Sequence, residues 1–208
     1  MRRAAVFLFF MLAALAPPGT VSARMDAQIL DSLKKEAEKI QTISSKFIQK
    51  KHLAMFEKTL RSRGKFYYRS PDCLRWEYTS PYEQGFALCG ESGLKWNEIS
   101  GEKEINTAGN PLWRTLAEQL IAWSRLDVDR LRGKYEIAVR DKSPLVLELV
   151  PRTEAMRGVI SRLVLHMAEK RGVIREISFF EPDGDNTRIE FKDTQTNVSL
   201  PEGIFSGK

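Results

Sequence analysis

Two cysteines and two histidines in 208 residues leave little room for catalytic or metal chemistry. His52 and His166 lie far apart in the chain, and neither has a cysteine or acidic residue at metal-ligand spacing. Ser44, Ser45, Ser62 and Ser124 lack the Gly-x-Ser-x-Gly turn that exposes a hydrolase nucleophile. Glycine-rich phosphate loops are missing. Asp183-Gly184-Asp185-Asn186 looks like half a calcium loop, but no glutamate closes the frame, so it reads as a turn. No catalytic residue, metal or cofactor is expected. A concentrated basic patch is missing too: taking Arg2 and Arg3 from the formal +6 leaves +4, and Lys34, Lys35, Glu36, Glu38 and Lys39 interleave their signs. That balance does not suggest a nucleic-acid binder.

Long apolar runs are confined to the start. Arg2 and Arg3 precede the apolar stretch Ala4 to Ala16, and Val21-Ser22-Ala23 supplies small residues for cleavage. This is the pattern of a secretory signal, and the stretch is short for a membrane span. Residues 1–23 are expected to be removed, leaving 24–208 as one exported, soluble domain. No cysteine near the cut would carry a lipid anchor.

What the chain does have is aromatic alternation. Phe66 and Tyr68, then Leu74, Trp76 and Tyr78, then Phe86 and Leu88, then Leu94 and Trp96 each keep one parity within a short run. Successive strand side chains point to opposite faces, so these runs predict an antiparallel meander with one apolar face. Pro71, Pro81 and Gly90 to Gly93 punctuate it. Cys73 and Cys89 each lie eight residues from Pro81, which a symmetric hairpin would set opposite one another. An oxidising compartment would then bond them; two separate buried thiols are the other reading.

Helical spacing follows Asp26, an expected N-cap, through Ile29, Leu30, Leu33, Ala37 and Ile40. From Thr42 the period becomes two, with Ile43, Ser45, Phe47 and Gln49 on one face. Lys50 to Lys58 reads as an irregular strand continuation or hairpin. Asn110-Pro111 opens a second helix whose apolar arc (Leu112, Trp113, Leu116, Ala117, Leu120, Ile121, Trp123) is broad. Asp127 to Leu131 reads as a short helical turn. Tyr135 to Val139, Leu145 to Val150 (apolar enough for a central strand), Leu163 to Met167, Ile174 to Phe180 and a strand through Ile189 and Phe191 complete an α+β pattern. Rings and aliphatics facing a helix can enclose a site for an apolar ligand, or simply fill a core.

The order of these features resembles the LolA family of periplasmic lipoprotein carriers. The resemblance rests on Ile43-Ser44-Ser45-Lys46-Phe47-Ile48-Gln49-Lys50, Gly64-Lys65-Phe66-Tyr67-Tyr68-Arg69-Ser70-Pro71 and Leu74-Arg75-Trp76-Glu77-Tyr78. Ser80-Pro81, Gly93-Leu94-Lys95-Trp96 and Leu200-Pro201-Glu202-Gly203 extend it. It implies an incomplete antiparallel β-barrel of about eleven strands, its hydrophobic cavity covered by a helical lid. The cargo implied is an acylated lipoprotein or another lipid, passed from an inner-membrane donor to an outer-membrane acceptor by a non-enzymatic, monomeric periplasmic protein. On this resemblance Leu74 and Trp76 line the cavity; Phe66, Tyr68, Tyr78, Phe86, Leu88 and Trp96 are added by parity. Leu112, Trp113, Leu116 and Leu120 would form the lid. The family carries a basic residue just before the proline that ends its second strand. Here Ser70 holds that place, so Arg69 becomes the candidate lid lock, although strict alternation aims it at the other face. A sensor or scaffold of the same fold, binding a protein partner, is the alternative reading.

Overall fold

Eleven antiparallel strands form one sheet that does not close into a barrel. The computed structural model describes residues 18–107, 109–169 and 172–206. Helix α1 (Pro18–Ala37) leads into β1 (Thr42–Leu53), a single 3₁₀ turn at Ala54–Phe56, and β2 (Lys58–Arg69). A meander follows: β3 (Cys73–Ser80), β4 (Gln84–Cys89), β5 (Ser92–Asn97) and β6 (Gly101–Asn106). Then come α2 (Pro111–Ser124), α3 (Val128–Lys134), β7 (Tyr135–Lys142), β8 (Leu145–Pro151) and the single-turn α4 (Glu154–Arg157). Strands β9 (Arg162–Met167), β10 (Ile174–Phe180) and β11 (Asn186–Thr196) complete the sheet.

The spatial order is β6-β5-β4-β3-β2-β1-β11-β10-β9-β8-β7. The first and last strands therefore pair at the centre, and two meanders run outward to free edges at β6 and β7. The chain between those edges is α2–α3. Having to travel from one margin of the sheet to the other, it crosses the inner face. Trp113 near its start meets Phe86 of β4 at 5.7 Å between ring centroids, and Trp123 near its end meets Phe179 of β10 at 5.3 Å.

Local chemistry sets the helix boundaries. Asn110 caps α2, its Oδ1 accepting the Trp113 amide at 3.3 Å, and Asp127 caps α3 through the Arg130 amide at 3.1 Å. Helix α1 begins at Pro18, so Asp26 lies inside it instead of capping it and sits 3.7 Å from Lys142. Its apolar stripe, Leu30, Leu33 and Ala37, is buried in the same cluster as Leu147, Leu149, Leu163 and Leu165. The run Leu145 to Val150 is one strand in from the β7 edge, not central. Only Leu147 and Leu149 are fully buried there; Val146 and Val150 are half-buried, so the run is covered mainly on one side. No described helix is long and apolar enough to cross a membrane.

Candidate functional site

Register places the aromatic runs of β2, β3 and β4 in rows. Phe66 lies opposite Trp76, and Trp76 opposite Phe86; Tyr68 lies opposite Leu74, and Leu74 opposite Leu88. Gly64 of β2 opens a space that Phe47 of β1 fills, bringing its ring 4.5 Å from Trp76 and 5.3 Å from Tyr78. Phe191 of β11 closes the other side, 5.8 Å from Phe66 and 6.2 Å from Trp76. The polar tips find partners: the Tyr78 hydroxyl donates to Gln49 at 2.9 Å, and the Tyr68 hydroxyl to the Pro71 carbonyl at 3.3 Å. Burial raises both phenol pKa values, with neighbouring hydrogen bonds pulling the other way.

Helix α2 roofs this surface. Leu120 and Trp123 descend toward Phe66, Trp76, Ile177 and Phe191, leaving a cavity of about 40 Å³. That is enough for a water or two and roughly a tenth of a small-ligand site. The interior under the roof is thus filled by the protein's own rings. Among the described residues, no hydrogen bond or ion pair ties α2 to strands β1 to β6. The nearest polar ties lie at its far end, where Gln119 accepts from the Tyr135 hydroxyl at 3.3 Å and Glu118 lies 3.8 Å from Lys134. Leu112 and Leu116 fall on the helix, but their side chains lie outside the described residues.

A second, wider recess of about 330 Å³ opens beside the roof, between the start of α2 and the β4–β5–β6 margin. Tyr78, Phe86 and Trp113 belong to it and also pack against the ring cluster.

Two expected site residues stand on the other face. Trp96 lies opposite Gly85, which lies opposite Glu77; its ring is held 4.2 Å from the guanidinium of Arg75, away from Trp76. The cause is the two-residue turn after Cys89. Cys89 pairs with Ser92, so an even-numbered residue of β4 faces an odd-numbered one of β5, and the parity that holds from β2 to β4 reverses. Leu94 changes sides with Trp96, and Lys95 takes the inner position.

Arg69 also points outward. Its Nη2 lies 3.6 Å from Cys73 Sγ, and its guanidinium sits over the Phe205 ring at 4.9 Å. It holds the C-terminal tail and not the helical roof. A contact from the helical segment to the β2–β3 turn comes instead from Arg125, donating to the Pro71 carbonyl at 3.5 Å. Cys73 and Cys89 are opposed in register and disulfide-bonded, with Cα atoms 4.0 Å apart.

This outer arrangement was not read from the sequence. Arg75 is only 4% exposed; it pairs with Glu77 at 2.7 Å, stacks on Trp96 and donates to the Ile204 carbonyl at 3.1 Å. An arginine inside an aromatic strand was the available signal, since burial requires a partner. Phe47 and Phe191 were likewise missed as site residues; Phe47 shares the parity of Ile43 and Ser45, which does mark it.

An open antiparallel sheet whose ring-lined inner face is roofed by a helix defines the class as an incomplete β-barrel with a helical lid. The sequence profile described as "Outer membrane lipoprotein carrier protein LolA" matches residues 38–208, and the chain belongs to the LolA family. An outer-membrane lipoprotein carrier protein of Pseudomonas putida (strain GB-1) is 24% identical over 189 residues, covering 90% of this chain and 87% of its own. Among solved structures, the Pseudomonas aeruginosa MucA/MucB complex is similar with TM-score 0.50 and 15% identity, covering 85% of this chain and 59% of that one. This chain therefore spans less than two thirds of the MucB chain. An uncharacterised conserved protein from Thermus thermophilus is similar with TM-score 0.55 and 8% identity, covering 88% and 94% of the two chains. At these identities the structural likenesses establish the fold. The family is one of periplasmic lipoprotein- and lipid-binding carriers that serve outer-membrane biogenesis and are not enzymes.

Proposed function

We propose that this protein shields the acyl chains of a lipoprotein or other lipid in transit through the periplasm, between an inner-membrane donor and an outer-membrane acceptor. Residues 1–23 act as the export signal, and 24–208 form a monomeric carrier domain. The cargo surface is the inner face of Phe66, Tyr68, Leu74, Trp76, Tyr78, Phe86 and Leu88, with Trp113 and Leu120 on the cover.

One observation carries this reading. The roof meets the β2–β4 half of the sheet through rings, without a hydrogen bond or ion pair among the described residues. An acyl chain can take its place without leaving buried polar groups unsatisfied, a loss that would cost about 1–3 kcal/mol each. The small volume under α2 describes the closed form. Each methylene buried contributes about 0.8 kcal/mol, so twelve give roughly 10 kcal/mol to set against lifting the roof. Loading and release then exchange one apolar occupant for another.

The test is equilibrium binding of a fluorescent fatty-acyl probe to the exported protein, whose chain should begin at Arg24. Leu120→Glu puts a charge at the cavity wall and should weaken binding by at least about tenfold, the equivalent of 1.4 kcal/mol, with cooperative unfolding retained. Equal affinity in wild type and variant would refute the cargo surface. The similarity to MucB, solved with its partner MucA, supports a second reading in which the sheet receives a protein. A chain that never binds acyl probes would favour it.

A further inference from the structure

The recess beside the roof has a charge pattern that apolar cargo does not explain. On the inner side of the β5–β6 margin, Lys95 and Lys103 are direct cross-strand partners. Like charges placed directly opposite one another on a sheet repel and are destabilising. Among the described residues, neither ammonium is ion-paired. The acids of β6 are turned away, Glu102 opposite Trp96 and Glu104 opposite Leu94, both on the outer face. Among the described residues no carboxylate lines the recess; besides the two lysines its lining is Gln84, Asn97, Ser100, Gly85, Gly101 and the aromatic residues Tyr78, Phe86, Trp113 and Trp96, the last reaching its rim from the outer face. Lys95 is drawn toward the roof, its Nζ 5.7 Å from the Trp113 ring centroid.

We infer that this recess is an anion subsite at the mouth of the acyl trough, and that it takes the phosphoryl headgroup of an anionic lipid. The inference rests on the carrier reading above and names its cargo more closely. Two ammonium groups with amide and hydroxyl donors beside them suit a phosphate monoester or diester. The rings shared with the inner cluster let acyl chains pass from this mouth beneath α2 without crossing a polar barrier. The recess volume of about 330 Å³ is within the range of small-ligand sites.

The test compares dioctanoyl phosphatidic acid with dioctanoyl glycerol, two probes with the same chains, by titration calorimetry on the mature chain. The phosphorylated lipid should bind about tenfold or more tightly, as hydrogen bonds to charged groups predict. Lys95→Gln/Lys103→Gln should erase that preference and leave dioctanoyl glycerol affinity unchanged. Lys103→Gln alone, which spares the Trp113 contact, should reduce the preference. Inorganic phosphate alone should bind far more weakly than the lipid; equal affinity would make this a free-anion site and overturn the headgroup assignment. Equal binding of the two lipids, or a preference that survives the double variant, would refute the subsite and leave the acyl-carrier reading standing. Failure of both lipids to bind would remove the two together.

Discussion

At the scale of single residues, Gly64 carries more of the site than any ring does. A β-carbon there would collide with the Glu77 carbonyl oxygen and the Phe47 ring, so glycine is what lets Phe47 pack over it, tilted against Trp76 and edge-on to Tyr78. Gly64→Ala should therefore cost at least about 2 kcal/mol, in the upper range for overpacking, read as a lowered urea midpoint with an unchanged slope. A neutral outcome would mean that the ring cluster is looser than described. Gly85 plays the same part on the outer face, where a β-carbon would come within 2.6 Å of Trp96. Inner residues of β2 to β4 were legible in the sequence because alternation alone assigns faces once the register is symmetric. Trp96 was not, because its face depends on whether a turn has an even or an odd count, and the run Gly90 to Gly93 conceals that. Arg69 was legible in part: alternation aimed it outward, and outward it is.

At the scale of elements, the β3–β4 hairpin and α2 are opposites. The hairpin is fixed three times over: by its ladder, by the Cys73–Cys89 bond on its outer side, and by the tail that Arg75 and Arg69 hold across it. Replacing both cysteines with serine should lower stability by about 3 kcal/mol, the value for a loop of about 15 residues in the chain-entropy account. Urea unfolding of the oxidised wild type and the double variant measures it, and equal midpoints would show that the bond adds nothing. Helix α2, by contrast, has a broad apolar arc, few polar ties among the described residues, and an N-cap from the adjacent Asn110. Its existence was readable from Asn110-Pro111 and the spacing of Trp113, Leu120 and Trp123. Its path was not, because periodicity says which face is apolar and is silent about where the next strand will pair. That β6 and β7 would be opposite margins, forcing the helical segment across the trough, is a property of the β1–β11 pairing far away in the sequence.

For the whole molecule, three phenols spread over both halves of the interior, Tyr68 and Tyr135 buried and Tyr78 half-buried, tie stability to alkaline pH. Tyr68 and Tyr78 stand among the rings of the β1–β4 half, and Tyr135 begins β7; burial raises all three above the ordinary 10.0. A raised phenol holds its proton longer in the folded chain than in the unfolded one, so its contribution is complete below pH 10 and is lost as pH climbs through the folded value. The melting temperature should be level up to that point and fall beyond it. Tyr135→Phe should make the decline shallower, and an identical decline would locate the sensitivity elsewhere. The two uncoupled margins have a different consequence. In a closed barrel, strand number and stagger fix the girth. Here β6 and β7 are joined in sequence by a helical strap and by no ladder, so on the carrier reading nothing in the sheet fixes one girth for the passenger. Size then discriminates poorly between one fatty passenger and the next, and selection falls to whatever chemistry the rim presents.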